Sequence, residues 1–131
     1  MEHCYGRLLD HVHLKVADLE SSRRFYRAVL AALGKSLSGN DQACWCDELY
    51  LDQGPASRVH LAFQAQSHEQ VRAFYRAALA AGGTSNGEPG ERPYHPGYFA
   101  AFVRDPDGNN VEAVYHGPSE RSAEAVWVHR S

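Results

Sequence analysis

The sequence predicts an α+β chain built from two tandem copies of one strand–helix–strand unit, and three observations lead there. Phe25-Tyr26-Arg27-Ala28-Val29-Leu30-Ala31-Ala32-Leu33-Gly34 returns as Phe74-Tyr75-Arg76-Ala77-Ala78-Leu79-Ala80-Ala81-Gly82-Gly83, with eight of ten positions identical at an offset of 49. A repeat of that quality argues for a duplicated supersecondary unit. The same offset brings His11 into register with His60, each near the start of a run of alternating apolar residues. Finally, the chain of 131 residues is long enough for one domain with one core. Its first module is expected at about 8–54 and its second at about 58–117, with a C-terminal tail at 118–131.

Each element follows from local pattern. Leu9 to Val16 reads as a strand with Val12, Leu14 and Val16 on one face and His11, His13 and Lys15 on the other. Asp18 is a helix N-cap and Gly34 a stop, with Leu19, Tyr26, Leu30 and Leu33 on an apolar stripe between them. Lys35 to Gln42 is a loop or weak strand, and Ala43 to Asp52 supplies one or two strands closed by Gly54-Pro55. In the second copy, Val59, Leu61 and Phe63 are expected to face the core, opposite His60, Ala62 and Gln64. Ser67 and Gln70 form a capping box for the second helix, which Gly82-Gly83 ends. Thr84 to Gly97, rich in Gly and Pro, reads as a long irregular segment of the kind that often serves function. Tyr98 to Arg104 and Asn110 to His116 are strands joined by the turn Asp105-Pro106-Asp107-Gly108. On the last strand Glu112 and His116 share one face. Ala125 to His129 is a candidate for one further strand.

Composition narrows the functional classes. Hydrophobic content of 44% and charged content of 22% are those of a soluble globular protein. The net charge of -3 and the lack of a basic block argue against nucleic acid as a partner. No apolar run approaches the roughly 18 residues of a membrane span. Met1 to Leu9 lacks the apolar stretch of a signal peptide, and three cysteines suit a reducing compartment, so a cytoplasmic location is expected. Cys44 and Cys46 are read as reduced strand residues rather than a metal clip. Each polar face carries a histidine early and a carboxylate late: His60 with Glu112 in the second module, His11 with Glu48 in the first.

Leu9-Asp10-His11-Val12, the helix start Asp18-Leu19-Glu20-Ser21-Ser22-Arg23-Arg24-Phe25-Tyr26, and Asp105-Pro106-Asp107-Gly108-Asn109-Asn110-Val111-Glu112 resemble the vicinal oxygen chelate superfamily. Glyoxalase I, bleomycin-resistance proteins, fosfomycin-resistance thiol transferases and extradiol dioxygenases belong to it. The resemblance covers residues 8 to 117. It implies two βαβββ modules whose curved mixed sheets form a cup around a divalent metal (Ni, Zn, Mn or Fe(II)), completed in small members by a second copy in a homodimer.

Carried over residue by residue, the resemblance implies His11, His60 and Glu112 as metal ligands, with Glu48 in the place of the fourth ligand of glyoxalase I-like members. Imidazole and carboxylate suit these metals and leave positions open for two adjacent substrate oxygens. Glu48 and Glu112 are the candidates for moving protons. His13, His95 and His116 are candidate acid/base histidines. Arg92, Tyr94, His95, Tyr98 and Trp45 are candidates to line the substrate cup, Arg92 against a carboxylate. Three functions fit: a metal-dependent lyase or isomerase resembling lactoylglutathione lyase, a metal-dependent dioxygenase or thiol transferase, and a metal-free ligand-sequestering protein.

Overall fold

In the computed structural model, which describes residues 2–131, the duplication is plain. The first module comprises β1 (Val12–Val16), α1 (Leu19–Ala32), β2 (Ser38–Gly39), β3 (Ala43–Cys46) and β4 (Leu49–Gln53). The second comprises β5 (His60–Gln64), α2 (His68–Ala80), β6 (Thr84–Glu91), β7 (Phe99–Arg104) and β8 (Asn110–Tyr115). Each is a βαβββ unit with a mixed four-stranded sheet, ordered β1-β4-β3-β2 and β5-β8-β7-β6. In both, the strand before the helix pairs in parallel with the last strand of the module.

The helices start where their caps direct. The Asp18 carboxylate accepts from the Glu20 and Ser21 amides, and the Ser67 hydroxyl from the Gln70 amide. Gln70 reaches back to accept from the Gln66 amide, closing the second box one residue further out. Leu19, Phe25, Tyr26, Val29 and Leu30 bury one stripe of α1, and Val71, Phe74 and Ala78 bury that of α2. These stripes join Leu14, Val16, Leu51, Val103, Val111 and Ala113 in one core. Tyr75, next to Phe74, packs half-buried against the edge of that core and donates its hydroxyl to Ser85.

The two helices pack on each other, and Gly83, just past α2, lies close against Phe25 of α1. A Cβ there would come within 2.7 Å of the Phe25 ring and 3.0 Å of the Arg104 carbonyl, so no larger residue fits without movement. The turn after β7 ties the modules together. Asp105, almost fully buried, accepts from the Tyr26 hydroxyl at 2.6 Å and from the Asn109 amide at 2.8 Å. Asn109 in turn accepts from the Val59 amide at 2.8 Å, and Asp107 from the Ala17 amide at 3.2 Å.

Three expectations change. Thr84 to Glu91 is not irregular: it is the edge strand β6, whose register shifts against β7 at Ser85–Gly87 and Gly87–Gly90. The bulges absorb the Gly and Pro residues that break the alternating pattern, which hides such a strand from a period-two reading. Val59 precedes β5 and is exposed rather than core-facing, its amide held by Asn109. Ala125 to His129 forms no strand, and Val126, Trp127 and Val128 are exposed.

Candidate functional site

Strand alternation puts the chemistry of each module on the sheet face away from the helices. On the first sheet, cross-strand pairing aligns His13 with Tyr50 and Tyr50 with Trp45. His13 meets the Tyr50 ring edge-on at 5.1 Å, and Trp45 lies parallel to Tyr50 at 6.3 Å. His11 stands just before β1, next to Glu48, whose carbonyl accepts from the Val12 amide at 2.7 Å. His11, His13, Trp45, Asp47, Glu48, Leu49 and Tyr50 line an open cleft of about 460 Å³.

Hydrogen-bond chemistry assigns the protons. A carboxylate can only accept, so His11 Nδ1 donates to Asp10 at 2.7 Å, and its Nε2 takes no part in that contact. His13 Nε2 donates to Asp52 at 2.8 Å, while Lys15 Nζ lies 2.9 Å from the same oxygen. The Lys15 ammonium first, and His13 second, hold the Asp52 carboxyl below the usual carboxylate range.

The second sheet gathers its groups around Glu112. This carboxylate is 2% exposed, the deepest charged group of the face. Its Oε1 lies 2.8 Å from His60 Nε2, and its Oε2 accepts from the Tyr98 hydroxyl. Burial, and then the Glu112 hydrogen bond and charge, push the Tyr98 phenol well above its ordinary value, so it stays a donor. Phe102, the cross-strand neighbour of Glu112, approaches His60 at 6.1 Å. Arg92 lays its guanidinium over Phe102 at 5.3 Å and spends N–H groups on the Glu88 and Glu91 carbonyls, the first at 2.7 Å.

At the rim, the Tyr98 ring is met edge-on by Tyr94, His95 and His116. His95 Nδ1 donates to the Pro96 carbonyl, so its Nε2 accepts from His116 Nδ1 at 2.8 Å. Burial, and then the neighbouring His95, lower the His116 pKa.

The structure therefore brings His60 to Glu112 and places His11 beside Glu48, but the two pairs sit on different sheets. Among the described residues of one chain, no three His, Cys, Asp or Glu side chains converge closely enough to hold a metal ion. Tyr98 touches Glu112 rather than open space, and Tyr94 and His95 lie at the exposed rim. Alternation with Leu49 and Leu51 already placed Tyr50 and Asp52 on the face of Glu48, but sequence reasoning gave them no role there.

Register also compares the two halves. Val12 pairs with Leu49, and Leu61, its counterpart 49 residues on, pairs with Val111. The residue in the first module that corresponds to Glu112 is thus Tyr50. Glu48 lies two positions earlier, at the β3–β4 turn, where Asp47 takes a positive φ of 49°.

The donor set fits a divalent cation. His60 Nε2 and Glu112 Oε1 face each other at 2.8 Å, and His11 offers a second imidazole.

Comparison with known proteins agrees with this architecture. Residues 8–113 match the family model of the glyoxalase/bleomycin resistance protein/dioxygenase superfamily. A glyoxalase/bleomycin resistance protein from Albidiferax ferrireducens T118 is 35% identical, with a TM-score of 0.71 over 82% of this chain and 98% of that one. A glyoxalase-related enzyme from Fulvimarina pelagi shares the fold at 21% identity, with a TM-score of 0.64 over 82% and 87% of the two chains. Lactoylglutathione lyase from Agrobacterium tumefaciens does so at 20% identity, with a TM-score of 0.62 over 85% and 95%. A search of curated proteins finds no match. Fold, paired modules and family model agree: the chain belongs to the glyoxalase/bleomycin resistance protein/dioxygenase superfamily.

Proposed function

We propose that the protein is a divalent-metal-dependent lyase or isomerase acting on a small substrate with two adjacent oxygens. The observation that carries this reading is the contact of His60 Nε2 with the buried Glu112 carboxylate, at the repeat position shared with His11. His11, His60 and Glu112 would hold Ni, Zn, Mn or Fe(II). When bound, such an ion supplies Lewis-acid polarisation of the two substrate oxygens.

The residues of the chain divide the remaining work. Glu112 is ill placed to move protons, because His60 and Tyr98 occupy its two oxygens. Glu48 is exposed at its turn beside His11 and is free to take a proton from a substrate carbon and return it to a neighbouring one. Trp45 and Tyr50 offer an aromatic wall, while Arg92, Tyr94 and His95 border the opposite face. Because His11 and His60 stand on separate sheets, the reading calls for a homodimer in which the first-module face of one copy covers the second-module face of the other. Free thiols at Cys4, Cys44 and Cys46 support a reducing, cytoplasmic setting.

A second reading, a dioxygenase or thiol transferase on the same three ligands, is favoured by one observation: Tyr50 stands where a fourth ligand would repeat Glu112. There His13, oriented by Asp52, is the acid/base group.

The test is metal content and solution mass of the purified protein, with the empty form retitrated with Ni, Zn, Mn and Fe(II). About one metal per chain in a dimer is expected, and His60→Ala abolishes it. If the wild-type protein takes up no metal, or His60→Ala keeps full occupancy, the ligand assignment is wrong. The first outcome would point to a ligand-sequestering protein.

A further inference from the structure

We propose that Tyr98 is a positioning residue that fixes Glu112 as a one-oxygen metal ligand, rather than a group that contacts substrate. The inference rests on the metal reading above and goes beyond it, because it concerns how the carboxylate is held. Glu112 lies in the middle of its sheet, between Ala62 on β5 and Phe102 on β7, with almost no exposure. A buried carboxylate needs donors on both oxygens. His60 serves Oε1, and the Tyr98 hydroxyl serves Oε2.

Tyr98 is confined to that task. Its carbonyl accepts from the Arg92 amide at 2.9 Å, and its amide donates to the His95 carbonyl at 3.2 Å. The rings of Tyr94, His95 and His116 meet it edge-on at 4.9, 5.3 and 5.2 Å, which leaves the ring little room to swing. With Tyr98 on Oε2, a cation would bind at Oε1, taking the place of the proton that His60 Nε2 shares with that oxygen. Hydrogen-bond partners of this kind orient metal ligands and set metal affinity.

Tyr98→Phe keeps the ring and removes only the donor. The purified, metal-free variant and wild type are titrated with Zn(II) and Mn(II) at a temperature well below both unfolding midpoints, and the midpoints are measured separately. Expected is an affinity weakened by about 10–100-fold in the variant. A variant with a lowered midpoint but wild-type affinity would show a purely structural tyrosine and overturn the proposal. Should Tyr98→Phe fail to fold, Tyr98→His, which keeps a ring and a donor that stops short of Oε2, answers the same question: wild-type affinity overturns the proposal and weakened affinity supports it. Absence of uptake by wild type would take down the metal reading and this inference together, a pattern distinct from equal uptake by both proteins.

Discussion

His116 shows how one side chain's surroundings become a pH dependence. Its Nδ1 donates to His95, and burial together with that neighbour disfavours a second proton. The folded-state pKa therefore lies below the 6.5 of the free side chain. The unfolded chain takes up the proton first, so the stability involved is present above that value and is lost as pH falls through it toward the folded pKa. Thermal midpoints at pH 7.5 and 5.5 should show a drop, and His116→Asn should make that drop smaller. An unchanged drop in the variant would mean that other histidines account for it. Asp52 has the opposite arrangement, since Lys15 and His13 both favour its charged form, and it keeps His13 oriented at every pH where the carboxylate is ionised.

At the scale of elements, the two modules repeat their strands and helices while their functional faces diverge. β1 with β4 and β5 with β8 share one register, yet an exposed Tyr50 stands in the first copy where the buried Glu112 stands in the second. The consequence is testable by restoring symmetry. Tyr50→Glu is expected to tighten metal binding by about tenfold or more, on the order of 1.4 kcal/mol, whereas Glu48→Gln should leave it unchanged. Calorimetric titration of the two variants decides it: if Glu48→Gln weakens binding, the fourth ligand is Glu48 and the register argument fails. The edge strand β6 carries Arg92 close behind its bulges, so the segment that looked like a loop supplies the rim of the second face from a paired backbone.

For the molecule as a whole, the turn Asp105-Pro106-Asp107-Gly108-Asn109 acts as the clasp between the modules. Tyr26 of the first module donates to Asp105, and the backbone before α1 and before β5 donates to Asp107 and Asn109. Tyr26→Phe removes one donor from a buried carboxylate with no change of shape. It should cost about 1–3 kcal/mol, read as a lower urea midpoint at unchanged slope. An unaltered midpoint would mean that Asp105 is satisfied by Asn109 and its neighbours alone. None of the described helices is long and apolar enough to cross a membrane.

Much of this was written locally. The 49-residue repeat, the caps at Asp18 and Ser67 and the turn at Asp105 depend on neighbours a few residues away, so the βαβββ order was legible from the chain alone. Alternation likewise assigned His11, His13, His60 and Glu112 to the faces away from the helices. What the sequence could not contain was which groups meet across strands distant in the chain. His60 and Glu112, 52 positions apart in the chain, come within 2.8 Å only through parallel pairing of β5 with β8. Tyr98 became a partner of Glu112 through the antiparallel pairing of β7 with β8, and Tyr50 its counterpart through the parallel pairing of β1 with β4. Register is set by the packing of whole sheets against the core, so it belongs to the tertiary structure, and with it the separation of His11 from His60 onto different sheets.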